Sequence, residues 1–259
     1  MMKRILRRIV PILGCLLLLL SLPVFASGST GAHDWYFKKT KDHQKPPLPS
    51  EFSFIEKQNG HFLGKGQDKV IYLTFDAGYE NGNIAVILDA LKAHGATGAF
   101  FILENLVNRN PDLICRMANE GHLVCNHTAK HPNMARITDK STFCKQLRDM
   151  ERIYTEKTGL TLAPYYRPPQ GKFSEQNLCY AKELGYHTVF WSFAYADWDN
   201  DRQPDPEQSI KNILDHTHPG MVILLHPTSN TNAAIMEKLL CEWERMGYRF
   251  GTLDELCKA

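Results

Sequence analysis

The feature that most constrains this chain is a strand-like run that ends in a carboxylate, Val70-Ile71-Tyr72-Leu73-Thr74-Phe75-Asp76-Ala77-Gly78. It is apolar, β-branched and aromatic, with Asp68 before it and Gly78 closing it. Six further strand-like runs follow at 97–102, 122–126, 163–167, 187–192, 221–225 and 248–251. Helical apolar spacing fills the intervals at 84–94, 111–119, 138–158, 175–184, 206–216 and 232–246. Strands that alternate with helices imply a parallel sheet with right-handed crossovers. The expectation is therefore an α/β fold, with seven strands closed or nearly closed into a barrel. In such architectures catalytic groups gather where the strands end. Asp76 stands at that end, as a general base for water, a metal ligand, or simply a cap on the following helix or turn.

Before the alternating region the chain changes character twice. Lys3, Arg4, Arg7 and Arg8 precede an apolar run over 9–22, and Val24-Phe25-Ala26 offers a small-residue cleavage site. Residues 1–26 thus read as a secretory signal, with an uncleaved anchor as the alternative. Export places the protein outside the cytoplasm, with membrane contact only through that segment if it stays attached. Residues 27–68 form an approach segment in which Pro46, Pro47 and Pro49 break regular structure. Its Trp35-Tyr36-Phe37 is too apolar for a free linker and is expected to dock on the domain or on a partner. Residues 69–259 are then one domain, and the 43% hydrophobic, 22% charged composition of the whole chain is ample for a full core.

Composition excludes some classes. Without 1–26, which carry four basic residues and no acidic ones, the formal charge is +2 − 4 = −2. No basic field remains to hold a nucleic acid. Six cysteines stay, at 115, 125, 144, 179, 241 and 257, with no Cys-x-x-Cys, which argues against a zinc ribbon or redox motif. An even count outside the cytoplasm permits disulfides, whereas isolated cysteines in apolar contexts are as often buried thiols.

Four later stretches carry chemistry. In Asn126-His127-Thr128-Ala129-Lys130-His131, two histidines four apart would share a face if 128–131 made a helical turn. That spacing suits a zinc-like ion, or else a pair of surface or capping histidines. Arg167-Pro168-Pro169-Gln170-Gly171 puts an Arg where it can brace a carboxylate, and a stiff loop whose N–H groups near Gln170 could face an oxyanion. Trp191 to Trp198 supplies a second carboxylate, Asp197, with aromatic faces of the kind sugars pack on. Leu225-His226 places a histidine after a buried strand, a position suited to a general acid. The other eight histidines, His216 and His218 among them, are given no functional role.

Each stretch is weak singly, but their order and placement together resemble the polysaccharide deacetylases, the carbohydrate esterases that share the NodB homology domain, over residues 69–252. The resemblance implies a distorted (β/α)7 barrel and five motifs. Thr74-Phe75-Asp76 resembles the first, with Asp76 as catalytic base, and His127 with His131 the second, as the metal ligands. Arg167-Pro168-Pro169-Gln170-Gly171 resembles the third, with Arg167 bracing the base; Asp197-Trp198 resembles the fourth, and Leu225-His226 the fifth, with His226 as general acid. Gln170, Asp197 and Trp198 are assigned to substrate, and Asp197 is expected to pair with either Arg167 or His226. Within the family, Tyr79-Glu80-Asn81-Gly82, the Trp35–Pro47 lead-in and Trp191 to Trp198 look most like the delta-lactam-biosynthetic de-N-acetylases. Those act on N-acetylmuramic acid of peptidoglycan strands, on the route to the muramic lactam of the spore cortex. The same reaction on N-acetylglucosamine of peptidoglycan or chitin, or on acetylxylan, is the nearest alternative, and a non-catalytic wall-glycan-binding protein is one of another class. Ala77 stands where most of the wider family has a metal-binding Asp, so the resemblance implies a divalent ion, zinc by expectation, that is weakly held.

Overall fold

The computed structural model describes residues 28–258, so the expected signal segment lies outside the described residues. The strands are β1 (His33–Asp34), β2 (Gly60–His61), β3 (Val70–Ala77), β4 (Gly98–Ile102), β5 (Leu123–Asn126), β6 (Tyr165–Tyr166), β7 (Lys172–Phe173), β8 (His187–Val189), β9 (Phe193–Ala194), β10 (Met221–Leu225) and β11 (Arg249–Phe250). The helices are α1 (Asn83–Ala93), α2 (Glu104–Arg109), α3 (Pro111–Asn119), α4 (Lys140–Thr158), α5 (Glu175–Glu183), α6 (Pro206–Asp215), α7 (Asn230–Arg245) and α8 (Leu253–Lys258). Among the described residues no helix is long and apolar enough to cross a membrane.

Nine strands form one parallel sheet in the order β2-β8-β6-β5-β4-β3-β10-β9, with β11 paired to the start of β3. β3 is the hub. It pairs with β10 over Ile71–Phe75 on one side, and on the other with β11 at Val70 and Ile71 and with β4 from Leu73 to Ala77. Strand alternation then sorts its side chains into two layers. Ile71, Leu73 and Phe75 enter a layer with Ile87, Leu91, Leu239 and Trp243, between the sheet and its surrounding helices. Val70 and Tyr72 enter the barrel interior with Phe101, Tyr165, Val189 and Val222, and Leu253 and Leu256 of α8 close its floor.

All seven expected strands are present, and the fold is the expected distorted (β/α)7 barrel. The main sheet gains two strands beyond these, while β1 and β7 pair separately as a short antiparallel ribbon. The expected strand at 187–192 breaks after Val189, and Phe193–Ala194 crosses to pair with β10. Ser192 fixes the break: its backbone N–H donates to Val222 O, while its hydroxyl accepts from the Val222 N–H at 3.0 Å and meets His218 Nε2 at 2.8 Å. The other addition, β2, comes from the approach segment, which is built into the fold. The two edge strands, β2 and β9, do not pair with each other. Instead Leu63 bridges to Met221, and Gly64 N–H donates to Gly220 O at 2.7 Å. A Cβ at Gly220 would fall 2.7 Å from Gly64 O, so this seam closes only between glycines.

Helix starts follow their caps. Asp139 accepts from Thr142 N–H, Ser174 and Asn177 make a capping box, and Ser229 accepts from Asn232 N–H, which starts α7 at Asn230 rather than 232. The short α2 lay outside every expected helix. All six described cysteines are free thiols.

The docking of Trp35 secures one wall of the barrel mouth. Its ring stacks on Phe190 at 4.4 Å and on Phe52 at 5.3 Å. Its indole N–H donates to Trp191 O at 2.9 Å, and its backbone N–H to Gly171 O at 2.8 Å. Gly171 has φ +66°, and a Cβ there would sit 2.8 Å from the Trp191 ring, so the 168–171 loop can lie this close only as glycine. Trp35→Ala is expected to destabilise the protein by about 3–5 kcal/mol, the usual cost of emptying a buried aromatic site, in urea denaturation followed by tryptophan-independent circular dichroism. A loss below about 1 kcal/mol would mean the segment is merely draped on the surface.

Candidate active site

The ends of the barrel strands converge on a cavity of about 700 Å³ at the C-terminal mouth of the barrel. Asp76, His127, His131, Gln170, Trp191, Tyr195, Trp198 and His226 line it, with Ala77, Gly78, Tyr79, Leu103 and Thr228.

Arg167 anchors one wall. It follows β6, and its side chain is fully buried. Nη1 donates to Asp76 Oδ1, Nη2 to Thr74 Oγ1 and Nε to Val189 O, each at 2.9 Å. Its guanidinium carbon lies 4.2 Å from the Phe101 ring centroid, so an aromatic face covers the cation. Burial alone would raise the pKa of Asp76, but the charges of His127, Arg167 and His226 outweigh it and hold the carboxyl below its ordinary value. Asp76 is therefore ionised.

The free oxygen of that carboxylate, Oδ2, lies 3.5 Å from His127 Nε2. His127 Nδ1 is 2.9 Å from Arg167 O, and a carbonyl only accepts. Nδ1 therefore carries the proton, and the Nε2 lone pair faces the cavity. The expected helical turn at 128–131 is absent. Thr128 and His131 are both left-handed, at φ 73° and 55°, and Thr128 ties the bend by accepting from His131 N–H at 3.0 Å. This bend, not a helical face, brings the two rings to a centroid distance of 5.0 Å. Burial pushes the His127 pKa down to about 4 and lowers that of His131, so both imidazoles offer lone pairs at neutral pH. Two neutral imidazoles beside a carboxylate suit a divalent ion. The set is open rather than closed: among the described residues, the three-donor clusters within 4.8 Å lie elsewhere.

His226 faces Asp76 from the opposite wall. Its Nδ1 lies 2.7 Å from Asp197 Oδ1, and its backbone N–H donates to Asp197 Oδ2 at 2.8 Å. Of the two partners expected for Asp197, it takes His226. Asp197 is only 1% exposed and does not line the cavity, so the substrate contact expected of it gives way to a positioning role. Asn232 completes the support, donating from Nδ2 to Asp197 Oδ2 at 2.6 Å and to His226 O at 3.0 Å, while its Oδ1 accepts from the Tyr195 hydroxyl. Burial opposes the charged imidazole, but the Asp197 hydrogen bond and charge, with Asp76 beyond, outweigh it and raise the His226 pKa. Trp198 is 61% exposed at the lip, its ring centroid 6.2 Å from that of His226. Gln170, left-handed at φ 61°, lies exposed on the lip opposite.

The sequence reading missed Asn232, Tyr195, Leu103 and Thr228. Tyr195 lay inside the stretch already singled out between Trp191 and Trp198, and Thr228 two residues past His226. Nothing in the composition around Asn232 separates it from an ordinary first-turn helix residue.

An ionised carboxylate, a histidine whose protonated form is favoured and two neutral imidazoles around one cavity form a site suited to acid–base hydrolysis of an amide. Residues 63–189 match the polysaccharide deacetylase family, and the chain belongs to that family, as a hydrolase of amide bonds. It is 39% identical over 229 residues to peptidoglycan-N-acetylmuramic acid deacetylase PdaA of Bacillus subtilis, across 86% of this chain and 85% of that protein. The solved structure of PdaA, described as a family 4 carbohydrate esterase, superposes with a TM-score of 0.84 at 37% identity, over 88% and 97% of the two chains. A peptidoglycan-N-acetylglucosamine deacetylase of Bacillus cereus is 32% identical, across 79% of this chain and 74% of that protein.

The His226 support has a pH signature. Because Asp197 contributes most to raising the His226 pKa, its replacement by Asn removes the largest opposition to burial and lowers that pKa. The alkaline limb of the kcat–pH profile should move to lower pH in Asp197→Asn. A limb that stays in place would detach His226 from the protonation step.

Proposed function

We propose that this chain is an exported, divalent-metal-dependent enzyme that removes the acetyl group of N-acetylmuramic acid in peptidoglycan glycan strands, on the route to the muramic δ-lactam of the spore cortex. The observation that carries the reading is the pair of opposed proton sites across one cavity, Asp76 bonded to Arg167, which favours its ionised form, and His226 bonded to Asp197, which favours its protonated form. The sugar assignment draws support from the higher identity to the muramic acid deacetylase, 39%, than to the glucosamine enzyme, 32%.

His127 Nε2 and His131 are the residues that would hold the ion. When bound, the ion supplies Lewis acidity toward the acetamide carbonyl and acidifies a water. Asp76 accepts the proton of the attacking water, with Arg167 keeping its carboxylate fixed and ionised. His226 delivers a proton to the sugar nitrogen, which an amide needs because its anion is a poor leaving group. The Gln170 peptide is the assigned donor toward the oxyanion. Trp198 and Tyr79, 61% and 44% exposed at the lip, offer aromatic faces to neighbouring sugars, so the energy of binding a longer strand can position the acetamide.

The test is mass analysis of muropeptide glycan chains after incubation with the purified protein. Acetyl loss is expected on N-acetylmuramic residues; loss confined to N-acetylglucosamine would keep the family and reject the sugar. Asp76→Asn and His226→Ala should each lower kcat by about 10²–10⁴-fold with the protein still folded, although Asp76→Asn gives up part of its stability with the buried ion pair.

Ala77 is fully buried at the end of β3 and lines the cavity next to Asp76. It brings no donor atom, where a catalytic zinc site ordinarily has three protein ligands. Activity of Ala77→Asp should survive chelator concentrations that inactivate the unaltered protein, with a maximal rate equal or lower. Coincident inactivation curves would show that another residue already supplies the third ligand.

A further inference from the structure

The floor of the barrel, at the opposite end from the cavity, carries a second convergence of donors. His61 of β2, His187 at the start of β8 and Cys257 of α8 bring three ligand atoms within 4.8 Å of one another. His61 Nε2 and His187 Nδ1 are 3.0 Å apart, with ring centroids at 5.2 Å. His187 faces inward, since its ring lies 6.1 Å from that of Tyr165 in the barrel interior, and Cys257 packs on the same interior cluster. All three are half-buried.

We infer that His61, His187 and Cys257 form a structural site for a borderline or soft divalent cation such as zinc, which pins α8 to the edge of the barrel. Two imidazoles and a thiolate are the donor types zinc prefers, and three of them leave one position for water. Bonds of about 2.0–2.1 Å to nitrogen and about 2.3 Å to sulfur set tetrahedral donor atoms about 3.3–3.6 Å apart, so the cluster needs to adjust only modestly. A bare imidazole–imidazole hydrogen bond accounts for the 3.0 Å contact but not for the third donor beside it. The position also gives such an ion a task. Among the described residues β2 is an edge strand paired in the sheet to β8 alone, and α8 closes the floor through Leu253 and Leu256. An ion here joins all three elements. The other three-donor cluster, His94, Glu237 and Cys241, lies at the surface, and both His94 nitrogens are already engaged there, with Glu237 and Glu244 at 3.0 Å each.

This site is independent of the active-site reading and can be tested apart from it. The metal-stripped protein is titrated with cobalt(II) alone and with zinc alone, under a non-thiol reductant. A His127→Ala/His131→Ala variant removes the imidazoles of the cavity. Cobalt should give a thiolate charge-transfer band in both the unaltered protein and that double variant, and zinc should displace it. Cys257→Ser should abolish the band, and His61→Ala should weaken zinc binding there at least tenfold. Zinc should also raise the Tm of the double variant by several degrees, and not once Cys257→Ser is added. Should the double variant fail to fold, the band in the unaltered protein against Cys257→Ser decides alone. Absence of the band in the unaltered protein, or its persistence in Cys257→Ser, overturns the assignment.

Discussion

The buried ion pair between Arg167 and Asp76 is the interaction on which the rest of this structure depends. A guanidinium that is wholly desolvated is tolerated only when its donors find acceptors, and here they find Asp76, Thr74 and Val189 at 2.9 Å each. Those acceptors sit on β3 and β8, while the arginine follows β6, so one side chain sets the relative heights of three strands at the barrel mouth. The Thr74 hydroxyl in turn donates to Ile223 O at 2.5 Å, which extends the tie to β10. Loss of either ionic partner would strand a buried charge, at a cost of about 3–5 kcal/mol. Stability and base activation therefore rest on the same few atoms.

The strands were legible where burial on both faces leaves a continuous apolar run, as in β3, β4 and β10. Asp76, Arg167 and His226 were legible because each follows or ends such a run. What stayed hidden depends on tertiary contacts. β2 is two residues, Gly60 and His61, in a polar and proline-rich stretch, and exists only because β8 lies beside it. The break between β8 and β9 turns on the hydrogen bonds of Ser192 across to Val222, which no periodicity encodes. The approach of His127 to His131 uses left-handed Thr128 and His131, residue types that seldom announce such a turn. The pairing of Asp197 with His226 rather than Arg167 was equally a matter of which strand ends are neighbours.

The two ends of the barrel divide its labour. At the mouth, carboxylate, guanidinium and carbonyl partners bias the protonation of the titratable groups. At the floor, apolar side chains of α8 fill the interior, with His61, His187 and Cys257 beside them. Such polarity, with chemistry at the C-terminal ends of the strands and packing at the N-terminal ends, is what parallel β/α barrels allow.

The floor helix also bears on the order in which the molecule can assemble. Val70 and Tyr72 are among the first residues of the sheet, yet the side chains that seal them from below, Leu253 and Leu256, come after every strand in the sequence. Until α8 exists and docks, the interior is open to water at one end, and its apolar lining lacks part of its cover. The sheet cannot therefore mature strand by strand from its amino-terminal side; closing it is a single late event of long sequence separation, of the kind that slows folding. For a protein of this architecture, the interval before that closure is when its strand edges are most open to wrong partners.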